Sequence, residues 1–198
     1  MYEKLEVDIL ILGGGGAGLM AALHARRANS SLRIAVAAKG LVGQSGCTRM
    51  VQGGYNAVLD PKDSFDLHYG DTIRGGAFIN DQELAWSLVT NAPKVIEELE
   101  RLGCFFDRDP HGRISQKAFA GQSFDRTIHR GDLTGIEIMS RLKENVLAED
   151  LVLLDERRGI SLLADGNGGI GGALVLDIRS GEFLAVGARA TLMATGGG

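Results

Sequence analysis

The sequence predicts an α/β protein built on a doubly wound parallel sheet that also carries a small antiparallel β-meander. Two observations carry this. An apolar run at residues 7–12 leads into the cluster Gly13-Gly14-Gly15-Gly16-Ala17-Gly18, then into helix formers at 19–28 and a second apolar run at 32–37, a β-α-β unit of about 30 residues. Past residue 151 the pattern changes to short strand-like runs separated by glycine-rich turns.

Each element follows from its local chemistry. Residues 7–12 are aliphatic apart from Asp8, as a strand buried on both faces of a parallel sheet should be. The helix after the glycines stops at Asn29-Ser30-Ser31, and 32–37 is the second strand. Residues 39–57 read as a long loop punctuated by glycine, and a structureless loop of that length inside a compact domain is usually functional. Residues 63–74 and 81–102 read as helices. The second has Leu84, Leu88, Val95, Leu99 and Leu102 near helical spacing, a break at Pro93 and Gly103 as its closing cap. A further helix covers 134–148 with Ile136, Met139, Leu142 and Val146 on one side, and Asp132 and Thr134 are placed to cap it from Gly135. Strands are expected at 152–155, 159–164, 172–178, 183–186 and 190–194, with turns at Asn167-Gly168-Gly169 and Ser180-Gly181. There is no internal repeat and no linker composition.

Composition excludes several classes of function. Of 198 residues, 44% are hydrophobic and 23% charged, with 29 glycines but only 3 prolines and no Gly-X-Y period, so the chain is neither disordered nor collagen-like. The charge-free stretch from Ile9 to Leu23 is interrupted by glycines and falls short of the roughly 18 residues that span a bilayer. The acidic start lacks the basic residues of an export signal, which makes the cytoplasm the default location. Cys47 and Cys104, with His24, His68, His111 and His129, match no zinc spacing. A net charge of −4 gives no argument for nucleic acid or for a membrane surface. The distribution of charge says more. Between Ile9 and Leu59 there is no Asp or Glu, while Arg26, Arg27, Arg33, Lys39 and Arg49 are all cationic, which marks the N-terminal quarter as the place for an anion.

Gly13-x-Gly15-x-x-Gly18 is a weak signal alone, but here it follows a strand and opens a helix within one β-α-β unit, the context of a Rossmann-like dinucleotide site. Its glycines permit a tight turn, approach of backbone to a pyrophosphate and close packing of helix on strand, and the helix N-terminus supplies positive potential to the phosphates. The acid that ordinarily ends the second strand and holds a ribose hydroxyl is replaced by Ala38-Lys39. That leaves two readings: NADP, or a dinucleotide whose ribose is held in another way.

The glycine cluster and the strand end at Lys39 are followed by Thr48-x-x-x-Gln52-Gly53-Gly54 and Gly112-Arg113-Ile114-x-Gln116-x-x-Phe119-x-Gly121-Gln122-Ser123. Arg126-Thr127, Asp132-x-Thr134-Gly135 and Ala194-Thr195-Gly196-Gly197 come next in order. Together these motifs resemble the flavoprotein family of succinate dehydrogenase, fumarate reductase and L-aspartate oxidase, and the resemblance covers the whole chain. It implies FAD rather than NADP, because a lysine without an acid at the second strand end is a feature of that family. It places Gly13, Gly15, Gly16, Ala17, Gly18, Ala38 and Lys39 along the adenine end and pyrophosphate, and Gly46, Cys47, Thr48, Gln52, Gly53 and Gly54 around the isoalloxazine ring. Ala194, Thr195 and Gly196 would end a strand beside the ligand, and the backbone of Ile160 would meet the adenine.

On the substrate side the resemblance puts Phe119 near a dicarboxylate, although Ala118-Phe119-Ala120 lacks the proline and first glycine usual around that aromatic. His129 resembles a histidine of the oxidase branch, with a structural role as its plainer reading. Cys47 stands where membrane-bound succinate dehydrogenases carry the histidine that bonds to FAD, which implies a non-covalent flavin here. The implied parent activity is hydride transfer through flavin N5 between succinate and fumarate. The implied electron partner is an iron–sulfur protein, through which the flavoprotein would sit peripherally at the cytoplasmic membrane face. L-aspartate oxidase is the alternative within the family, and an FAD-binding module without activity the alternative outside it. Residues 1–198 are expected to be the N-terminal FAD-binding portion of a longer flavoenzyme, without its capping domain. The catalytic groups are therefore expected beyond Gly198, and no residue of this chain is a catalytic candidate. Neither a nucleic-acid partner nor direct membrane insertion is expected.

Overall fold

The computed structural model describes residues 3–197. Gly198, beyond which the sequence reading places the catalytic groups, lies outside the described residues, so the fold neither supplies those groups nor tests that expectation. In chain order the elements are β1 (Glu3–Leu12), α1 (Gly16–Ala28), β2 (Ile34–Ala37), a 3-10 turn (Cys47–Met50), β3 (Tyr55–Asn56), α2 (Phe65–Gly75) and α3 (Gln82–Arg101). They continue with β4 (Gln116–Lys117), β5 (Thr127–Ile128), α4 (Thr134–Leu147), β6 (Val152–Leu154), β7 (Arg157–Ala164), β8 (Ile170–Asp177) and β9 (Phe183–Met193). They form two compact units, one running to Met50 and resuming at Met139, the other Val51–Ile138.

The first unit is one mixed six-stranded sheet in the order β6-β2-β1-β9-β8-β7. β1 pairs in parallel with β2 and with β9, and β2 with β6. All four residues of β2 are buried, as expected for a strand covered on both faces. Val7, Leu10, Leu12, Ala35 and Ala37 pack with Ala173, Val175, Leu184, Val186 and Ala188 in one core cluster. Helix α1 buries Leu19, Ala22 and Leu23 and packs on β1 and β2.

The expected meander is present as β7-β8-β9, but it is not a separate layer, because β9 also pairs with β1. That double pairing corrects two sequence expectations. Residues 183–186 and 190–194 are one continuous strand, and β1 begins at Glu3 rather than Val7, because Glu3–Leu12 is matched against Leu184–Met193 almost throughout. Gly187 does not interrupt β9, since neighbours on both sides hold the ladder.

In the second unit β3, β5 and β4 form a small antiparallel sheet, order β3-β5-β4, where the sequence predicts only loop. Two-residue strands carry too little alternation to be seen in a sequence. Ser64 caps α2 by accepting the Leu67 N–H at 3.2 Å, and Asp81 caps α3 by accepting the Leu84 N–H at 3.0 Å. Gly103, at φ +94°, closes α3 as expected: its N–H reaches the Glu100 carbonyl and the Cys104 N–H the Leu99 carbonyl, both at 2.9 Å.

Two expectations for α3 are corrected. The helix runs unbroken through Pro93, because the apolar face it buries offsets the hydrogen bond that proline cannot make. That face is Ala85, Val89, Ala92, Ile96 and Leu99, while Leu84 and Leu88 are 70% and 54% exposed. Leucine size misdirects the reading, since alanine at the same helical spacing fills the inward side. Helix α4 starts at Thr134, not Gly135, and the Thr134 hydroxyl accepts from the Arg130 N–H (3.1 Å) and reaches the Gln52 carbonyl (3.4 Å). Among the described residues no helix is long and apolar enough to cross a membrane.

The polar centre of the second unit is Arg126, whose side chain is wholly buried. Its guanidinium meets both Asp63 oxygens at 2.8 Å and Asp71 Oδ2 at 2.5 Å. Asp71 also accepts the backbone N–H and hydroxyl of Ser123, each at 2.8 Å, and Arg74 at 2.5 Å. Burial pushes the Asp71 carboxyl up, but the Ser123 N–H, Arg126, the Ser123 hydroxyl and Arg74 together outweigh it and hold the group well below the usual carboxylate range. His68 is buried in the same neighbourhood with Nδ1 unpartnered among the described residues. Its burial, and then the charge of Arg126, push its pKa down against the smaller opposing effect of Asp63 and Asp71.

These shifts set a pH dependence of stability. Both groups have folded-state values below their ordinary ones, so each contributes stability at higher pH that is lost as pH falls. For His68 the loss begins as pH drops through 6.5, where the unfolded chain takes up a proton that the folded chain resists. For Asp71 it begins near 3.8. Melting midpoints followed from about pH 8 to 3 should fall in two stages, and His68→Gln should remove the upper stage while leaving the acid stage in place.

Candidate functional site

The site starts where β1 ends. Gly13 sits at φ +121°, and a Cβ there would lie 2.1 Å from the Ala194 carbonyl oxygen, so the backbones of the β1 and β9 ends touch directly. The Gly13 N–H donates to the Ala37 carbonyl and the Ala194 N–H to the Leu12 carbonyl, each at 2.8 Å, which ties three strand ends together. A Cβ on Gly18 would meet the Gly13 carbonyl oxygen at 1.9 Å, so Gly18 lets α1 close onto the loop and does its work behind the cavity wall.

Gly15 is different. It is the N-cap of α1, without a side-chain cap and with no acid in the first turn, and a Cβ there would meet no protein atom within 4 Å. The first N–H groups of the helix therefore face open space that carries its positive potential. Gly16 lies under Thr48, whose side chain would be 3.0 Å from an added Cβ.

That space is a cavity of about 900 Å³, at the upper end of ordinary ligand cavities. Gly13, Gly15, Gly16, Ala17, Ala38, Lys39, Gly46, Cys47, Thr48, Ile160, Ala194, Thr195 and Gly196 all line it. Its charged lining residues are Lys39, Arg157 and Arg158, with no Asp or Glu. The 3-10 turn places the exposed Cys47 on this wall, inside the segment read from sequence as plain loop. Ile160 is the extra residue of a bulge: Gly159 pairs with Val175 and Ser161 with Leu174, which leaves Ile160 without a ladder partner.

Arg157, Arg158, Gly159 and Ser161 also line the cavity and were not singled out from sequence. The Arg157 N–H donates to the Ala38 carbonyl at 2.8 Å, which brings the start of β7 to the end of β2, and its guanidinium is held by Asp177 at 2.9 Å. Two consecutive arginines before a glycine at a strand start were the available signal. Dinucleotide folds use the second strand end for the ribose, so this pairing puts cations where an acid is customary.

Gln52, Gly53, Gly54 and Phe119 belong to the second unit. Gly54, at φ +134°, lies flat on β5, since a Cβ would be 2.2 Å from the Ile128 carbonyl oxygen. The half-exposed Phe119 ring covers Gly53, where a Cβ would be 2.8 Å from its Cε2. His129 Nδ1 stands 3.1 Å from Asp107, without the alignment of a hydrogen bond. The Gly131 N–H holds the Asp107 carboxyl below its ordinary range, helped by Arg130 and His129 against the opposing effect of burial. Among the described residues no group of three or more His, Cys, Asp or Glu is arranged to hold a metal ion.

The lining fits FAD: an uncapped helix start over open space at Gly15, cations without acids, and room for a dinucleotide. The FAD binding domain family matches residues 8–198. An uncharacterized FAD-dependent oxidoreductase of Methanocaldococcus jannaschii is 48% identical over 98% of this chain and 35% of its own length. A fumarate reductase (CoM/CoB) flavoprotein relative from Methanothermobacter marburgensis is 43% identical over 98% of this chain and 36% of its own. A solved E. coli quinol fumarate reductase chain superposes with a TM-score of 0.92 at 32% identity, covering 98% of this chain and 33% of that one. The chain thus spans about a third of the length of these relatives. Shared over nearly every residue described above, this likeness means that the chain belongs to the FAD-binding domain family of flavin-dependent oxidoreductases related to fumarate reductase flavoproteins, with FAD as its cofactor.

Proposed function

We propose that this chain is the FAD-holding portion of a flavoenzyme that interconverts succinate and fumarate, or a similar C4-dicarboxylate pair. The observation that carries the reading is the open N-terminus of α1 at Gly15, set in an acid-free, cationic cavity. FAD, when bound, supplies the hydride chemistry. The first turn of α1 holds the pyrophosphate, as Gly15 and Gly16 present N–H groups and no side chain. Lys39 and the β7 segment at Arg157–Ile160 hold the adenosine end, with the unpaired backbone of Ile160 available to the base. Gly46, Cys47 and Thr48, followed by Gln52, Gly53 and Gly54, lie along the ring, and Phe119 shapes the dicarboxylate side. The groups that clamp the carboxylates and deliver the proton are assigned to sequence beyond Gly198, in the two thirds of the relatives' length that this chain does not span, so the chain alone lacks turnover. Loss of an acid–base group by itself commonly costs about 10²–10⁴ in rate.

Relatives named as flavoprotein subunits, among them the 8-methylmenaquinol:fumarate reductase flavoprotein subunit of Wolinella succinogenes, support an assembly in which electrons reach the flavin from a partner. We assign that partner to the iron–sulfur class and the complex to the cytoplasmic membrane face.

Gly15→Val tests the pyrophosphate role cleanly, because the added side chain enters the cavity without striking protein. The variant should melt like the parent yet bind FAD at least about tenfold more weakly, and neither form should bind NADP. Saturable NADP binding without flavin binding would refute the reading. The flavin is held without a covalent bond, so acid precipitation should leave it in the supernatant. A pellet that keeps its flavin, with the added mass on the Cys47 peptide, would show a thioether instead.

A further inference from the structure

We infer that Asp71 and Arg126 are positioning residues whose buried ion cluster sets the placement of the Gly53–Gly54 backbone and of the Phe119 segment. The inference rests on the reading above that these two segments face the flavin ring and the dicarboxylate.

The connections are short on both sides. Arg126 immediately precedes β5, and β5 pairs Ile128 with Tyr55 and Thr127 with Asn56, the residues that follow Gly54. Gly54 rests on the Ile128 carbonyl, and the Thr127 hydroxyl donates to Asn56 Oδ1 at 2.8 Å, so a shift of β5 moves the glycine pair with it. On the other side, Asp71 takes both the N–H and the hydroxyl of Ser123, and the Gln122 N–H returns to the Phe119 carbonyl at 3.3 Å. One carboxylate oxygen, Asp71 Oδ2, therefore joins the guanidinium beside β5 to the loop that carries Phe119. Asp63 takes the opposite edge of that guanidinium through two bonds and fixes its plane.

Burying these charges is costly, and apolar side chains could fill the same volume with equal or greater stability. What apolar filling cannot do is specify direction. A planar donor with both edges occupied admits one orientation, and Phe119 in turn lies over Gly53 at a distance that tolerates no Cβ between them. The cluster is thus suited to holding two short, weakly structured segments in register with each other.

Ser123→Ala and Asp71→Asn in the FAD-loaded 198-residue chain test this, with ADP as a probe of the adenosine end alone. Ser123→Ala removes one bond at the Asp71 hub and should leave the melting midpoint close to that of the parent. It should shift the visible flavin bands and flavin fluorescence and weaken FAD about two- to tenfold, with ADP affinity unchanged. Ser123→Thr, which restores the hydroxyl, should recover the parent spectrum. Asp71→Asn should produce the same spectral change more strongly, and if it does not fold, Ser123→Ala decides. Unchanged flavin spectra and FAD affinity in Ser123→Ala would overturn the positioning role while leaving the FAD assignment intact. Parallel loss of ADP and FAD affinity would also overturn it, as general destabilisation. A parent chain that binds ADP but not FAD would overturn the flavin reading and this inference with it.

Discussion

Everything in the first unit depends on backbone touching backbone at the end of β1. Gly13 lies against the Ala194 carbonyl and Gly18 against the Gly13 carbonyl, at separations where a Cβ would be 2.1 and 1.9 Å from oxygen. No side chain survives at such distances, so glycine is required at both positions by sterics, independently of any ligand. The same closeness sets the β9 end beside β1 and seats the start of α1 over the strand ends. Gly15, between them, is spared any such contact. The loop therefore combines two glycines that build the turn with one that leaves a cradle, and the cradle carries the helix's positive potential.

The second unit is organised by charge instead of close approach. Its sheet has only two-residue strands, which contribute little stability alone. Directed hydrogen bonds take over: a fully buried guanidinium shared by two carboxylates, one of which also binds the backbone and hydroxyl of Ser123. The two units thus solve the same problem, holding irregular backbone in a defined place, by different physics.

How much of this was legible follows from which signals are local. The β-α-β unit and the glycine loop were readable because apolar runs, helix formers and a fixed glycine spacing lie within one short stretch. The meander's turns were readable as glycine pairs, but the continuity of β9 was not, because it comes from pairing with a strand nearly the whole chain away. The inward side of α3 was misread because Leu84 and Leu88 outweigh Ala85 and Ala92 in any apolar count, while burial goes to the alanines. On the cavity wall, most residues of the glycine loop, the Cys47 turn and the Ala194 strand end were anticipated. Arg157, Arg158 and Ser161 were not, since their role depends on β7 arriving beside Ala38 through a single backbone bond. The Arg126 cluster left no sequence trace because its members, Asp63, Asp71, Ser123 and Arg126, are scattered and each reads as an ordinary surface residue.

The central claim is that the N-terminus of α1 and the start of β7 together hold the pyrophosphate and adenosine of FAD. Hydrogen exchange of the chain with and without FAD measures this directly. Slowed exchange at the amides of residues 14–18 and 158–161 on adding FAD is the predicted result. Protection confined to other segments, with these amides exchanging at the same rate in both states, would contradict it.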